Sequence, residues 1–134
     1  MRKIIEPFIR NFADTLGQPI YKITYQGKGV SLNQIYAQGH WRTRAAIKKK
    51  YKPIFDQLIK DCEEIQFMDK FSVWIFYNSR HDPDNIIGME KLFVDSLKGK
   101  YVEDDHKKYF RGVSIFPDEE LDSNTFEFYL LRHE

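Results

Sequence analysis

A chain of 134 residues, 42% hydrophobic and 16% aromatic, with 21 Lys/Arg against 20 Asp/Glu, is sized for one domain with a packed core, which excludes a disordered chain. The single cysteine, Cys62, excludes an internal disulfide framework and fits a reducing compartment. No apolar run approaches the roughly eighteen residues of a membrane span, and no secretory leader pattern is visible, so a cytoplasmic protein without membrane contact is expected. The net charge of +1 conceals an asymmetry. Residues 1–60 hold twelve Lys/Arg against three Asp/Glu (+9), whereas residues 61–134 hold nine against seventeen (−8). A basic half can follow a polyanion while an acidic half holds a cation; the two halves can also simply attract each other.

In chain order, Ile4, Ile5, Phe8, Ile9, Phe12 and Leu16 recur at helical spacing, which predicts a helical extension over 1–17 that stops at Gly17. Ile20 to Tyr25 alternates as a half-buried strand, and Gln26-Gly27-Lys28-Gly29 reads as a turn. Residues 31–44 have no clear period, and most of them read as an ordered loop. From Thr43 to about Glu64, Ile47, Tyr51, Ile54, Phe55, Leu58, Ile59 and Cys62 form an apolar helical stripe, with Pro53 expected to kink or divide it. Phe71 to Tyr77 is a nearly continuous apolar strand, buried on both faces. A polar loop over 78–85 leads to a helix from Met89 to Leu97, which Lys98-Gly99-Lys100 terminates. Strands follow at Val113 to Phe116 and Thr125 to Leu131, the last with Phe126, Phe128 and Leu130 on one face. The order predicts an α+β domain over 1–134, a single mixed sheet with helices packed on it.

The chemistry concentrates between Asp82 and Asp105. Asp82-Pro83-Asp84-Asn85, Lys91 and Glu103-Asp104-Asp105 crowd carboxylates around one lysine. Crowded carboxylates repel unless a cation neutralises them, and a hard divalent ion takes one or two carboxylates plus phosphate oxygens. A lysine beside such a site suggests phosphate chemistry. Asp84 or Asn85 as a helix N-cap explains one of these residues in purely structural terms, but not the set.

From Phe71 to Ile115, about a third of the chain, the ordered pattern resembles the RusA family of Holliday-junction resolvases of phages and prophages. Its elements here are Asp82-Pro83-Asp84-Asn85 after a strand, Lys91 and Asp95-Ser96-Leu97 on a helix, then Asp104-Asp105. The resemblance implies that Asp82, Asp84 and Asp105 bind magnesium (manganese as a substitute), with Asp104 as an alternate or outer partner. It implies that Lys91 assists at the scissile phosphate. It also implies a homodimer acting on four-way-junction or other branched DNA in a bacterial or phage-infected cell. Ser31, Asn33, Tyr36 and His40 are similar to the family's upstream segment. Between Asn85 and Lys91 the chain carries about three residues more than familiar members. In a continuous helix that is a rotation of about 300° and an advance of about 4.5 Å. A bulge or late helix start near Ile86-Ile87-Gly88 is expected to absorb it.

Two rival readings use the same residues. Pro83-Asp84 with Asp105-His106-Lys107 matches the PD-(D/E)xK nuclease pattern, with Lys107 as the catalytic lysine. A DNA-binding protein of the same fold without catalysis is the other. For the DNA surface, Arg42, Arg44, Lys48, Lys49, Lys50 and Lys52 can contact phosphates, while Tyr36, His40 and Trp41 can stack on unpaired bases and Asn33 can contribute a polar contact. The plainer alternative makes Trp41 core and the lysines a solvated face.

Overall fold

The computed structural model describes residues 20–36, 41–62 and 65–133. The expected helix over 1–17 and His40 lie outside the described residues. Four strands form one mixed sheet: β1 (Ile20–Gln26), β2 (Lys70–Asn78), β3 (Phe110–Pro117) and β4 (Thr125–His133), in the order β1-β4-β2-β3. β4 runs antiparallel to both neighbours, with Phe128 opposite Ile23 on one side and Ile75 on the other. β2 and β3 are parallel, Ile75 beside Ile115, and are joined through a helix as a parallel pair requires. The α+β architecture with a single mixed sheet is therefore the observed one.

The helices are α1 (Leu32–Tyr36), α2 (Trp41–Asp61) and α3 (Ile87–Leu97), the last preceded by a 3₁₀ turn at Pro83–Ile86. Phe55 of α2, Phe93 of α3 and Phe128 of β4 are all fully buried and meet at one point, with Phe93 and Phe128 stacked at 4.5 Å and Phe55 edge-on to Phe128 at 5.6 Å. Burying each such side chain contributes roughly 2–3 kcal/mol. A second, smaller apolar cluster of Phe76, Tyr129 and Leu131, with Trp74, Phe116 and Leu121 packed against it, is separate from this main core.

Several expectations need correction. Residues 31–44 are not a loop throughout, because α1 occupies 32–36 and α2 begins at Trp41. The Ser31 hydroxyl accepts the Gln34 N–H at 3.1 Å and the Gln34 side chain accepts the Ser31 N–H at 2.8 Å, so a reciprocal capping box starts α1. Pro53 does not divide α2: its side chain is exposed, and Tyr51, Phe55 and Ile59 bury enough surface to hold the helix through it. α3 begins two residues before Met89, and β3 extends beyond Val113–Phe116 at both ends. In β4, Phe126, Phe128 and Leu130 do share one face, in the main core, and Tyr129 and Leu131 are buried as well, in the second cluster. Cys62 lies just past the end of α2, half-buried against the core.

Candidate nucleic-acid interface

β2 delivers the chain to a pinned turn. The Tyr77 hydroxyl donates to the His81 carbonyl at 2.8 Å, and the Ser79 hydroxyl accepts the His81 N–H at 3.3 Å. Proline at 83 pushes Asp82 into extended backbone (φ −73°, ψ 156°), after which the 3₁₀ turn runs directly into α3. Neither the turn nor α3 receives a side-chain cap, so Asp82, Asp84 and Asn85 are not consumed as caps. Asp82 and Asp84 are exposed, and neither carboxylate has a hydrogen bond or ion pair among the described residues. Both press on Tyr77, whose phenol is pushed above its ordinary pKa first by burial and then by these two charges.

Gly88 positions the start of α3. A Cβ there would lie 2.7 Å from the Val30 carbonyl oxygen and 2.7 Å from the Ser31 carbonyl carbon. That close approach lays α3 against the segment that opens α1, and the Val30 N–H reaches the Met89 sulfur at 3.2 Å. The α-helix starts only at Ile87, after one 3₁₀ turn over Pro83–Ile86, which is the late helix start expected near Ile86-Ile87-Gly88.

Between α1 and α2 on one side and α3 on the other lies a cleft of about 450 Å³. Trp41, Arg44 and Lys48 face it from α2, Lys91 and Asp95 from one face of α3 at i and i+4, and Lys98 from the residue that caps that helix. Trp41 is 64% exposed, so it is not core, and the Arg42 guanidinium lies 5.4 Å from its ring centroid. A smaller hollow of about 200 Å³ between Lys48, Lys52, Leu92 and Asp95 adjoins it. Lys49 and Lys50 are exposed on α2 but line neither space; Lys50 lies over the Tyr51 ring at 5.4 Å. Asn33 is exposed on α1, and the Tyr36 side chain lies outside the described residues.

Asp105 lines the main cleft but is held by Lys98, whose ammonium lies 3.0 Å from Asp105 and 3.2 Å from Asp95. Burial opposes the Lys98 charge, but hydrogen bonds to both carboxylates outweigh it and raise its pKa. Asp104 turns back on its own loop, accepting the Asp105 N–H at 2.7 Å and lying 3.2 Å from His106 Nε2. The backbone hydrogen bond leads the interactions that lower its pKa. Lys107 is exposed in the same loop, and its carbonyl accepts from Arg111 at 2.8 Å. Neither half of the PD-(D/E)xK pattern lies on a strand.

No protein-family model matches the chain, and no curated protein is significantly similar to it. The geometry must carry the reading.

Among the described residues, no group of three His, Cys, Asp or Glu side chains is gathered so as to hold a metal ion. Asp105 is paired with Lys98, the residue that caps α3, whereas Asp82 and Asp84 lie ahead of its first turn. Asp82 and Asp84 alone are a donor set suited to magnesium, which is content with one or two carboxylates completed by water and phosphate oxygens.

Sequence reasoning missed Glu90. It is 6% exposed on α3, and burial pushes its carboxyl up to about 7, with Lys91 opposing and Asp105 and Asp95 adding to the rise. The available signal was a lone acid between Ile86, Met89, Phe93 and Leu97, all fully buried. Lys98 was legible only as a helix stop, not as the cation that holds Asp95 and Asp105.

Proposed function

We propose that the chain binds branched DNA and cuts it by metal-assisted phosphodiester hydrolysis, as a RusA-like, magnesium-dependent endonuclease working as a homodimer in the bacterial cytoplasm. The observation that carries this is the juxtaposition of one cation-lined cleft, with Trp41 at its mouth, and the uncapped, unpaired Asp82–Asp84 turn at the head of the helix that forms its wall. Phosphates supply the charge that Arg44, Lys48, Lys91 and Lys98 jointly exceed over Asp95 and Asp105 in the cleft. Trp41 offers a face on which an unpaired base at a branch point can stack.

Asp82 and Asp84 would hold the magnesium, which lowers the pKa of bound water and stabilises charge on the phosphate. The chain's own residues do the rest. Arg44 and Lys48 hold the backbone along α2. Lys91 presents its ammonium to the cleft, where it can neutralise charge developing on a phosphoryl oxygen. Asp105 and an incoming phosphate compete for the Lys98 ammonium. Two copies of this arrangement would address opposing strands of a four-way junction.

Incubating the protein with a synthetic four-way junction and magnesium tests this reading. Cleavage is expected, with Asp84→Asn abolishing cutting while leaving junction affinity within about twofold. Lys91→Ala is expected to lose cleavage and Lys107→Ala to keep it; the reverse pattern would move the reading to the PD-(D/E)xK type. Tight binding with no cutting under magnesium or manganese would leave a binding protein without catalysis. That second reading is favoured by one observation, the Lys98–Asp105 ion pair, which already engages one of the three acids.

A further inference from the structure

A second cleft, of about 590 Å³, lies beside the start of the acidic turn. It is lined by Lys28 and Gly29 from the turn after β1, by Asn78 to His81 leaving β2, and by Ser123 and Asn124 ahead of β4. Two formal cations, Lys28 and Arg80, face it, and no carboxylate lines it. Both cationic side chains are exposed, and neither has an ion pair among the described residues. Among the described residues, His81 is the one aromatic residue that lines it; Phe, Tyr and Trp do not. Two cations among hydroxyls and amides are the chemistry of a phosphate site.

The walls are fixed in advance. The Lys28 carbonyl accepts from two phenols, Tyr25 at 2.8 Å and Tyr51 at 3.1 Å. Asn124 N–H donates to the Asn78 carbonyl at 2.7 Å, and Gly27 N–H to the Asn124 carbonyl at 2.9 Å. The Asn78 amide reaches the Leu121 carbonyl at 2.7 Å, and Tyr77 holds the His81 carbonyl at 2.8 Å. Gly29 is close against the core, since a Cβ there would lie 2.7 Å from Phe126 Cζ. Such cross-bracing fixes the backbone segments that carry Lys28 and Arg80 before any ligand arrives, which reduces the ordering cost of binding.

We infer that this second cleft is a phosphodiester-binding site that grips the sugar–phosphate backbone of the nucleic acid engaged by the α2–α3 cleft. The inference rests on the nucleic-acid reading above and adds a binding surface to it. The acidic turn lies in the chain between the residues of the two sites: Asn78 to His81 line the second cleft, Asp82 and Asp84 follow, and Lys91 begins the α3 side of the first. A backbone held at both would be drawn across Asp82 and Asp84. The grip is on phosphate alone and carries no sequence preference.

The test is fluorescence anisotropy of a labelled four-way junction over a salt series without divalent ions, using wild type, Lys28→Ala/Arg80→Ala, and Arg44→Ala/Lys48→Ala. Because it removes two cations that each hold a phosphate, Lys28→Ala/Arg80→Ala is expected to weaken binding about tenfold or more. It should also flatten the slope of log K against log salt by about 1.8, at about 0.9 per duplex phosphate. Each single substitution should give about half that change, which keeps the test readable if the double variant unfolds, and Arg80→Lys should restore most of the slope. Unchanged affinity and slope in Lys28→Ala/Arg80→Ala, with binding abolished in Arg44→Ala/Lys48→Ala, would overturn the second cleft and leave the first. Absence of any salt-dependent DNA binding by wild type would overturn both.

Discussion

Glu90→Gln probes the buried carboxyl beside the cleft. In the unfolded chain Glu90 ionises at its ordinary 4.5, and in the folded protein at about 7. The folded state therefore retains a proton that the unfolded state releases. The group's contribution to stability is fully present below pH 4.5 and is lost as pH rises through about 7. The groups acting on it are Lys91 and Lys98, which favour ionisation, and Asp105 and Asp95, which with burial oppose it. At about 1.4 kcal/mol per pKa unit the full penalty is about 3 kcal/mol, reached above pH 7. Glutamine keeps the shape and never ionises, so Glu90→Gln is expected to match wild type near pH 4.5 and to exceed it by up to about 3 kcal/mol at pH 8. For a domain of this size that is a melting shift of roughly 10 °C. Urea unfolding of both proteins across this pH range, with chelator present, measures the difference directly. A constant offset between the two proteins at every pH, or a variant less stable than wild type at pH 8, would refute the assignment of a buried, reluctant carboxylate.

Gly88→Ala forces a Cβ to within 2.7 Å of backbone atoms at Val30 and Ser31, neither of which can rotate away. Overpacking of about 1–3 kcal/mol should exceed the roughly 1 kcal/mol helix preference of alanine, lowering the melting temperature by several degrees; a rise would mean that α3 does not bear on that segment. Trp41→Ala, at a side chain 64% exposed, should leave stability within about 0.5 kcal/mol of wild type. The same change should weaken junction binding roughly tenfold to hundredfold, and equal affinity in an anisotropy titration would remove stacking from the reading.

What could be read from the sequence was what depends on neighbours in the chain. The apolar run at 71–77 and the stripe Tyr51, Phe55, Ile59 announce a buried strand and a helix regardless of what surrounds them. The cap at Ser31–Gln34 was also legible, as a Ser followed three residues later by Gln, but the polar residues after it obscured a helix of one turn. Pro53 misled because the penalty for an interior proline is local while the burial that outweighs it is tertiary. That Tyr129 and Leu131 are also buried could not be read from the alternation of β4, since it depends on Phe76, Trp74, Phe116 and Leu121 packing with them. For the site, the order of Asp82, Asp84, Lys91 and Asp105 was visible, but not that Lys98 would hold Asp105 while Asp82 and Asp84 stay unpaired. Ion pairing between a helix end and the following loop has no sequence period to reveal it.

The position of β4 has a consequence for how the domain comes together. The last strand of the described chain is an inner one, lying between β1, about a hundred residues earlier, and β2. Until it arrives, β1 has no strand partner among the described residues and β2 has only β3. Synthesis from the N-terminus would therefore leave β1 and the apolar face of α2 waiting while the β2–α3–β3 unit forms first, and would complete the sheet by insertion. Pairings of such long sequence separation slow folding and lengthen the exposure of unpaired edges. A nascent chain of this protein is thus a candidate client for chaperones that bind extended apolar segments, with Phe126 to Leu131 as the segment whose docking ends the need.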